Sequence, residues 1–100
     1  MLRMNLNQIT VPSLDLTKSI PFYERLGLKL IVKSLPHYAR FECPNGNSTF
    51  SIHQTEKLPQ GKRIYVYFEC ENLDEQEQMW YQYNSLDCVR LIFQPSDWHS

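Results

Sequence analysis

Residues 7–30, NQITVPSLDLTKSIPFYERLGLKL, constrain the fold more than any other stretch of this sequence. Asp15 is a favourable N-cap, because its carboxylate can accept a hydrogen bond from the free N–H groups of a helix's first turn. Gly27 is a favourable helix stop, because glycine adopts the left-handed backbone that ends many helices. The stretch therefore predicts a strand, a helix and a second strand with short connections. Three apolar side chains at helical spacing would form the buried side of this helix: Leu16, Ile20 and Tyr23.

Period-two alternation and turn residues divide most of the remaining chain into strands. The predicted order is βαβββ, a linker and then βαβ, so the second half begins to repeat the first. We expect a single domain over residues 1–100, with module one at 1–55, a linker at 56–62 and an incomplete module two at 63–100. The predicted strands are 4–11, 28–34, 38–43, 49–54, 63–70 and 89–93.

A second helix is predicted where the start of the first helix recurs. The pair Asn72-Leu73 repeats the pair Asp15-Leu16. Asn72 is a suitable N-cap, and Glu75, three residues later, completes a pattern like a capping box. The inner side of this helix is predicted to carry Leu73, Gln76, Trp80 and Tyr83.

Composition argues against several classes of function. The 100 residues include 42% apolar and 21% charged side chains and carry a net charge of -1, as in ordinary globular proteins. No basic stripe favours nucleic acid, and no apolar run approaches the roughly 20 residues of a membrane helix. The N-terminus lacks the apolar core of a signal peptide, and three widely spaced cysteines favour free thiols in a reducing compartment. We therefore expect a cytoplasmic protein that binds neither nucleic acid nor membrane.

The repeat, together with the stretches VPSLDLTKSIPFYERLGLKL and STFSIHQ, resembles the vicinal oxygen chelate superfamily. This superfamily contains glyoxalases, bleomycin-resistance proteins and extradiol dioxygenases. The most specific part is the pattern Asp15-Leu16-x-x-Ser19-Ile20-x-Phe22-Tyr23 followed by Leu26-Gly27. The resemblance implies an α+β fold in which paired βαβββ modules form a cupped mixed β-sheet with outer helices. The second module would be truncated to βαβ, because the chain ends before a seventh and an eighth strand.

The resemblance also implies a cavity, in which many members hold a divalent metal as a Lewis acid, whereas other members only bind a ligand. The family's metal ligands come from the first and fourth strands of each module. Gln8, Ser51 and Tyr65 match three of these positions, and the fourth would lie in the missing eighth strand. Among them Gln8 is an acceptable metal ligand, and His53, on the same side as Ser51, is the second candidate. We therefore expect no cofactor, with a divalent metal as the alternative.

Strand alternation predicts which side chains face the cavity, because successive residues of a strand point to opposite faces. In each predicted strand one alternate set is apolar and would pack on the helix. The other set mixes polar and aromatic side chains, which is typical of a small-molecule site. The predicted cavity-facing residues include Gln8, Tyr38, Arg40, Ser51, His53, Tyr65, Tyr67 and Glu69.

Each candidate role has an alternative. Glu69 is a candidate catalytic base if it is buried beside Tyr67, and otherwise a solvated carboxylate at the end of a strand. Arg40 would hold an anionic ligand or pair with Glu42. His53 would bind metal, transfer protons or only hydrogen-bond within the wall. The tyrosines that would stack on a flat ligand, or only close the cup, are Tyr38, Tyr65 and Tyr67.

The leading hypothesis is a small-molecule binding protein of the bleomycin-resistance kind, with a tyrosine-lined cup and no full metal site. If the protein is an enzyme, it is a metal-dependent lyase, isomerase or dioxygenase, with ligands completed by a partner chain or by residues beyond this sequence. A shortened gene product is the third hypothesis. We also expect a homodimer, because bare strand edges in the incomplete module invite pairing. Tyr65, Trp80 or Phe93 would lie at the contact.

Overall fold

The computed structural model describes residues 2–59, 63–70 and 80–95. Within these ranges the chain forms one helix and seven strands in two sheets, which confirms the predicted α+β class. No helix in the described ranges is long and apolar enough to span a membrane. The elements are β1 (Gln8–Ser13), α1 (Leu16–Arg25), β2 (Lys29–Ser34), β3 (Tyr38–Glu42), β4 (Thr49–Gln54), β5 (Ile64–Cys70), β6 (Trp80–Asn84) and β7 (Val89–Pro95).

Both ends of α1 are capped as the sequence predicts. Asp15 has an extended backbone, and its carboxylate accepts a hydrogen bond of 3.0 Å from the backbone N–H of Thr17. At the other end, Gly27 has φ +106°, and the N–H groups of Gly27 and Leu28 donate to carbonyls of the last turn at 3.0 and 3.2 Å. This pair of bonds is a Schellman motif, which satisfies two carbonyls that the helix leaves free. The predicted buried side is confirmed: Leu16, Ile20 and Tyr23 are buried.

The first module forms a four-stranded sheet, sheet A, in the order β1-β4-β3-β2. β1 pairs with β4 in parallel, and the other neighbours are antiparallel. The predicted first strand was wrong at both ends, because β1 begins at Gln8 and continues through Pro12 to Ser13. Pro12 is tolerated because β1 is an edge strand, where a missing N–H need not remove a ladder bond.

The second module forms a three-stranded sheet, sheet B, in the order β5-β7-β6. β7 pairs in parallel with β5 and antiparallel with β6. In sheet B, β5 therefore takes the place that β1 has in sheet A, β7 takes the place of β4, and β6 takes the place of β3. The expectation that the third and fourth strands of this module are missing was therefore wrong, because β6 and β7 are their counterparts. The described ranges instead contain no counterpart of β2. Residues 71–79 separate β5 from β6, whereas the longer segment 14–37, with α1 and β2, separates β1 from β3.

The predicted second helix conflicts with the structure at its C-terminal end. Trp80 and Tyr83 lie in β6, which pairs with β7 along its whole length. A spacing of three residues fits a helix, but the alternation of this segment also fits a strand, and pairing with β7 decides between them. The predicted cap at Asn72 and the positions Leu73, Glu75 and Gln76 lie outside the described residues.

The core joins both modules through aromatic rings. The ring of Tyr23 in α1 lies 4.9 Å from that of Phe50 and 5.5 Å from that of Phe41 in sheet A. Phe50 in turn lies 6.3 Å from Phe68 of sheet B, which stacks on Phe93 at 5.2 Å. Apolar residues of β1, β3 and β4 join the same cluster, together with Val66, Val89 and Leu91 of sheet B. The opposite faces of the two sheets remain for the polar and tyrosine side chains.

Candidate functional site

A hydrogen-bond network occupies the face of sheet A opposite α1. The amide nitrogen of Gln8 donates to the hydroxyl of Ser51 at 2.9 Å and to the phenolic oxygen of Tyr38 at 3.1 Å. The hydroxyls of Ser51 and Thr10 lie 2.5 Å apart, and Ser51 is fully buried. Three strands therefore bring Gln8, Tyr38 and Ser51 into one network.

Arg40 and His53 lie on the same face but outside this network. The Nε atom of Arg40 donates to the hydroxyl of Thr49 at 3.2 Å, a contact that sequence reasoning did not foresee. His53 stands opposite Tyr38 in the strand register, near the end of β4, and its side chain is exposed. The structure thus places His53 at the rim of the face, two residues along the strand from the buried hydroxyl of Ser51.

A cavity of about 730 Å³ opens between β1 of sheet A and β5 of sheet B. Of the predicted site residues, the cavity is lined by Gln8, Tyr65, Tyr67 and Glu69. Its apolar lining comes from both modules and includes Phe50, Val66, Phe68 and Phe93, and its thiols are those of Cys43 and Cys70. The lining does not include Tyr38, Arg40, Ser51 or His53.

The side chains that β5 contributes to this cavity are open to solvent. Tyr65, Tyr67 and Glu69 are all exposed, on the face opposite Val66 and Phe68. The general-base hypothesis for Glu69 required burial beside Tyr67, and the structure does not provide that burial. Burial does raise the pKa of the Cys43 and Cys70 thiols, so both favour the neutral form.

The residues at the family's metal positions do not fit a metal ion. Gln8 and Ser51 are neutral and already hydrogen-bonded to each other, and Tyr65 is a phenol. In sheet A, Gln8 pairs with Thr49, and Ser51 is two residues after Thr49. In sheet B, Tyr65 pairs with Arg90, and Ile92 is two residues after Arg90. Ile92 therefore occupies the position in sheet B that Ser51 has in sheet A. Catalytic metal sites usually use histidine, cysteine or carboxylate ligands. In the described ranges, no three His, Cys, Asp or Glu side chains group closely enough to hold a metal.

One face of sheet B combines the predicted residues Tyr65, Tyr67 and Glu69 with residues of β6 and β7 that sequence reasoning missed. This face, which points away from the core and is here called the tyrosine face, consists of Tyr65, Tyr67 and Glu69 of β5, Tyr81 and Tyr83 of β6, and Arg90, Ile92 and Gln94 of β7. The available signal was the alternation of Val89, Leu91 and Phe93, which are buried in the core and so turn the intervening residues outward.

Asp87 is the other residue that sequence reasoning missed. Its carboxylate is fully buried and accepts hydrogen bonds from the hydroxyls of Ser19 at 2.9 Å and Tyr23 at 2.5 Å. The side-chain amide of Asn84 donates to the hydroxyl of Ser19 at 3.2 Å. Burial raises the pKa of Asp87 and outweighs the hydrogen bonds that lower it. Burial, and then the nearby charge of Asp87, raise the pKa of Tyr23. This network ties α1 to the segment before β7, and no local sequence pattern marks it.

Several solved structures share this architecture. A possible glyoxalase from Bacillus cereus superimposes with a TM-score of 0.73 at 13% identity, covering 92% of this chain and 99% of that one. A bleomycin-binding protein complexed with bleomycin gives a TM-score of 0.66 at 13% identity, covering 94% and 99%. The bleomycin-binding protein of Streptomyces verticillus complexed with copper(II)-bleomycin gives 0.65 at 11% identity, covering 96% and 99%.

These similarities establish the fold. The chain has the glyoxalase and bleomycin-resistance architecture, that is, the vicinal oxygen chelate fold that the sequence resembles. No protein-family model matches the sequence, and no curated protein matches it.

Proposed function

We propose that this chain binds a small organic molecule in the cavity between β1 and β5, without a full set of metal ligands. The observation that carries the proposal is the cavity itself. Its volume of about 730 Å³ lies within the roughly 300–1,000 Å³ of small-molecule sites. Its lining combines apolar residues of both modules with a few polar groups, which is the usual composition of such sites.

The lining suggests how a ligand would be held. Phe50 and Phe68 offer apolar contact from the core side, and the rings of Tyr65 and Tyr67 offer flat surfaces with a polar tip. Glu69 supplies a carboxylate that accepts hydrogen bonds. In this proposal Gln8 belongs to one wall of the site, which is the face of sheet A opposite α1. The other residues of that face support or extend this wall: Tyr38, Arg40, Ser51 and His53. Two of the similar structures are bleomycin-binding proteins in complex with bleomycin or its copper form, which favours a binding function.

Binding of the dye 1-anilinonaphthalene-8-sulfonate, followed by calorimetry, tests the proposal. Losing one aromatic contact costs about 0.5–1.5 kcal/mol, so Tyr67→Ala should weaken binding by roughly two- to twelvefold. Leu35→Ala is the matched control, because Leu35 is also an exposed apolar residue and does not line the cavity. Equal affinities for both variants and the original chain would contradict the proposal.

The metal content of the purified protein tests the second part of the proposal, the lack of a full set of metal ligands. We expect purified protein to hold no stoichiometric transition metal, because the family's ligand positions carry an amide, a hydroxyl, a phenol and an isoleucine. Elemental analysis giving about one nickel, zinc, iron or manganese per chain would favour a metal-dependent lyase, isomerase or dioxygenase instead. His53→Ala would then be the first variant to analyse.

We also propose that the protein is a cytoplasmic homodimer. In the described residues Cys43, Cys70 and Cys88 form no disulfide, which supports a reducing compartment. The original reason for a dimer, unpaired strands in module two, is weakened because β5 and β7 pair within the chain. Phe93 is buried in the core and would not reach a partner, whereas Tyr65 is exposed. The dimer is now supported by an apolar stripe in the segment before β1. The stripe consists of Leu2, Met4 and Leu6, whose side chains are 77–81% exposed. A single monomeric species in sedimentation at low micromolar concentration would contradict the dimer.

A further inference from the structure

The cavity runs along the edge of β5. Consecutive residues of this strand, 65–70, all line it, although their side chains alternate between the two faces of sheet B. A cavity above one face of a sheet would contact only every second residue, so this cavity lies beside the backbone of the strand. On its other side β1 contributes the consecutive residues Gln8 and Ile9. Among the described strands β1 and β5 are both at the edge of their sheets, so the cavity lies between two sheet edges.

The hydrogen bonds of sheet B show which backbone groups of β5 face the cavity. In a parallel pair, alternate residues of a strand direct both their N–H and their C=O to the neighbouring strand. The N–H of Ile64 donates to the carbonyl of Cys88, which precedes β7, at 2.9 Å. The even-numbered residues of β5 therefore direct their backbone to β7, and the odd-numbered residues Tyr65, Tyr67 and Glu69 direct theirs to the cavity. No group in the described part of the chain hydrogen-bonds to these outward backbone groups.

β1 has the same arrangement across the cavity. The carbonyl of Asn7 accepts a hydrogen bond of 2.8 Å from the N–H of Thr49, so the odd-numbered residues here direct their backbone to β4. The backbone N–H and C=O of Gln8 therefore point away from β4, towards the cavity that Gln8 lines. Strand edges with unpaired backbone groups pair readily with another extended chain. The cavity thus offers hydrogen-bonding partners to a backbone from two sides.

The side chains along β5 differ between the two faces of the strand. Val66 and Phe68 present apolar surface on the core side, whereas the exposed Tyr65, Tyr67 and Glu69 lie on the other side. In the described ranges Glu69 is the only Asp, Glu, Lys or Arg that lines the cavity. An added strand would therefore place apolar side chains towards the core, and a basic side chain would be favoured beside Glu69.

The extent of the cavity sets the length of the bound segment. Tyr65 and Glu69 are four residues apart, which corresponds to about 13 Å at the usual rise of a β-strand, so about five residues of an extended chain would pair with this edge. Residues 26–28 and 43–45 also line the cavity and enclose the space beside β5. This enclosure admits a single extended segment rather than the whole sheet of another molecule.

We propose that the cavity binds a short peptide in an extended conformation, which pairs with the edge of β5 as an added strand and places a basic side chain beside Glu69. Backbone hydrogen bonds supply affinity in this mode of recognition, and alternate side chains supply specificity. Antiparallel pairing is the more stable arrangement, and Glu69 is near the C-terminal end of β5, so the basic residue is near the N-terminus of the peptide. This inference rests on the proposed function, because it names the ligand class of the same cavity.

Calorimetry with the peptide acetyl-Lys-Val-Thr-Val-Thr-amide tests the proposal. The valines would face the core, and the lysine and threonines would pair with the outward residues of β5. N-methylation of the third residue should weaken binding about tenfold, because one backbone hydrogen bond is lost and the methyl group enters the space between the strands. N-methylation of the fourth residue is the matched control and should have a smaller effect, because that N–H points away from β5.

A protein variant tests the predicted position of the basic residue. Glu69→Gln should weaken the lysine peptide by about two- to fivefold, the usual range for an exposed ion pair. The same variant should leave unchanged the affinity for a peptide in which threonine replaces the lysine. Glu56→Gln is the matched control, because Glu56 is an exposed glutamate that does not line the cavity.

Other outcomes would overturn the inference. Equal weakening by the two methyl groups would show that the edge of β5 does not recognise a peptide backbone. A probe that binds only while it dissociates a dimer in sedimentation would show that a second copy of the chain covers this edge instead. If no peptide binds while 1-anilinonaphthalene-8-sulfonate still binds in a Tyr67-dependent way, this inference is wrong and the proposed function stands. Loss of both peptide and dye binding would contradict the proposed function as well.

Discussion

Replacing Tyr23 by phenylalanine should destabilise the protein through a single oxygen atom. The ring of Tyr23 would keep its packing against Phe41 and Phe50, at centroid distances of 5.5 and 4.9 Å. The variant would lose the 2.5 Å hydrogen bond that the phenol donates to the buried carboxylate of Asp87. Asp87 would then retain fewer donors for a charge that has no access to water.

The size of the effect follows from the burial of that carboxylate. A hydrogen bond to a charged group contributes about 1.5–3 kcal/mol, and leaving a buried acceptor short of donors places the cost near the upper end. For a domain of about 100 residues each kcal/mol lowers Tm by about 4–8 °C, so we expect a decrease on the order of 10 °C. The decrease should shrink in acid, because the bond is strongest while Asp87 is ionised.

Thermal unfolding followed by circular dichroism at neutral pH measures this effect. Tyr67→Phe is the matched control, because Tyr67 is 58% exposed and surface substitutions usually change stability by less than about 0.5 kcal/mol. A Tyr23→Phe variant whose Tm differs from that of the control by less than the experimental error would refute this account of the Asp87 network.

Three further predictions concern stability, each measured by urea unfolding. Burial raises the pKa of Asp87 in the folded state above its value in the unfolded state. The contribution of Asp87 to the free energy of unfolding is therefore fully present below the unfolded pKa and is lost as pH rises through the folded pKa. Asp87→Asn should therefore show a flatter stability profile from acid to neutral pH, and parallel profiles would contradict this. Gly27→Ala should cost about 1–3 kcal/mol through backbone strain alone, since φ is +106° and no atom lies within 4 Å of an added Cβ; an unchanged midpoint would argue against strain. Pro21→Ala should stabilise the chain by about 1–3 kcal/mol, because proline within α1 interrupts the helical hydrogen bonds, and a lower midpoint would contradict it.

The sequence alone determined the elements whose causes are local. Asp15 and Gly27 set the ends of α1, because capping depends on side chains and backbone angles within a few residues. Alternation in β1, β3, β4 and β5 determined which side chains face the core, because that depends only on the two-residue repeat of a strand. The architecture followed from the pattern around Asp15 and Tyr23, and the superpositions agree with it.

The tertiary structure decided the form of the second module. The segment from Trp80 to Asn84 satisfies both a helical and a strand pattern, and its antiparallel pairing with β7 makes it a strand. The parallel pairing of β5 with β7 joins residues far apart in the chain, and the side-chain period is the same whichever strand becomes the neighbour. Sequence reasoning therefore expected the third and fourth strands of this module to be missing, whereas the described residues contain counterparts of both and no counterpart of β2.

The partners of individual polar atoms were likewise a matter of tertiary structure. Asp87, Arg90 and Gln94 are ordinary polar residues in the sequence, with no motif around them. Only the packing of α1 against the segment before β7 gives the buried carboxylate its hydroxyl donors. Only the position of β7 between β5 and β6 leaves the Nε atom of Arg90 and the Oε1 atom of Gln94 buried without a hydrogen-bond partner in the described residues. Whether a buried polar atom finds a hydrogen-bond partner depends on distances between elements that are remote in the sequence. Helix capping and strand alternation depend only on a few neighbouring residues.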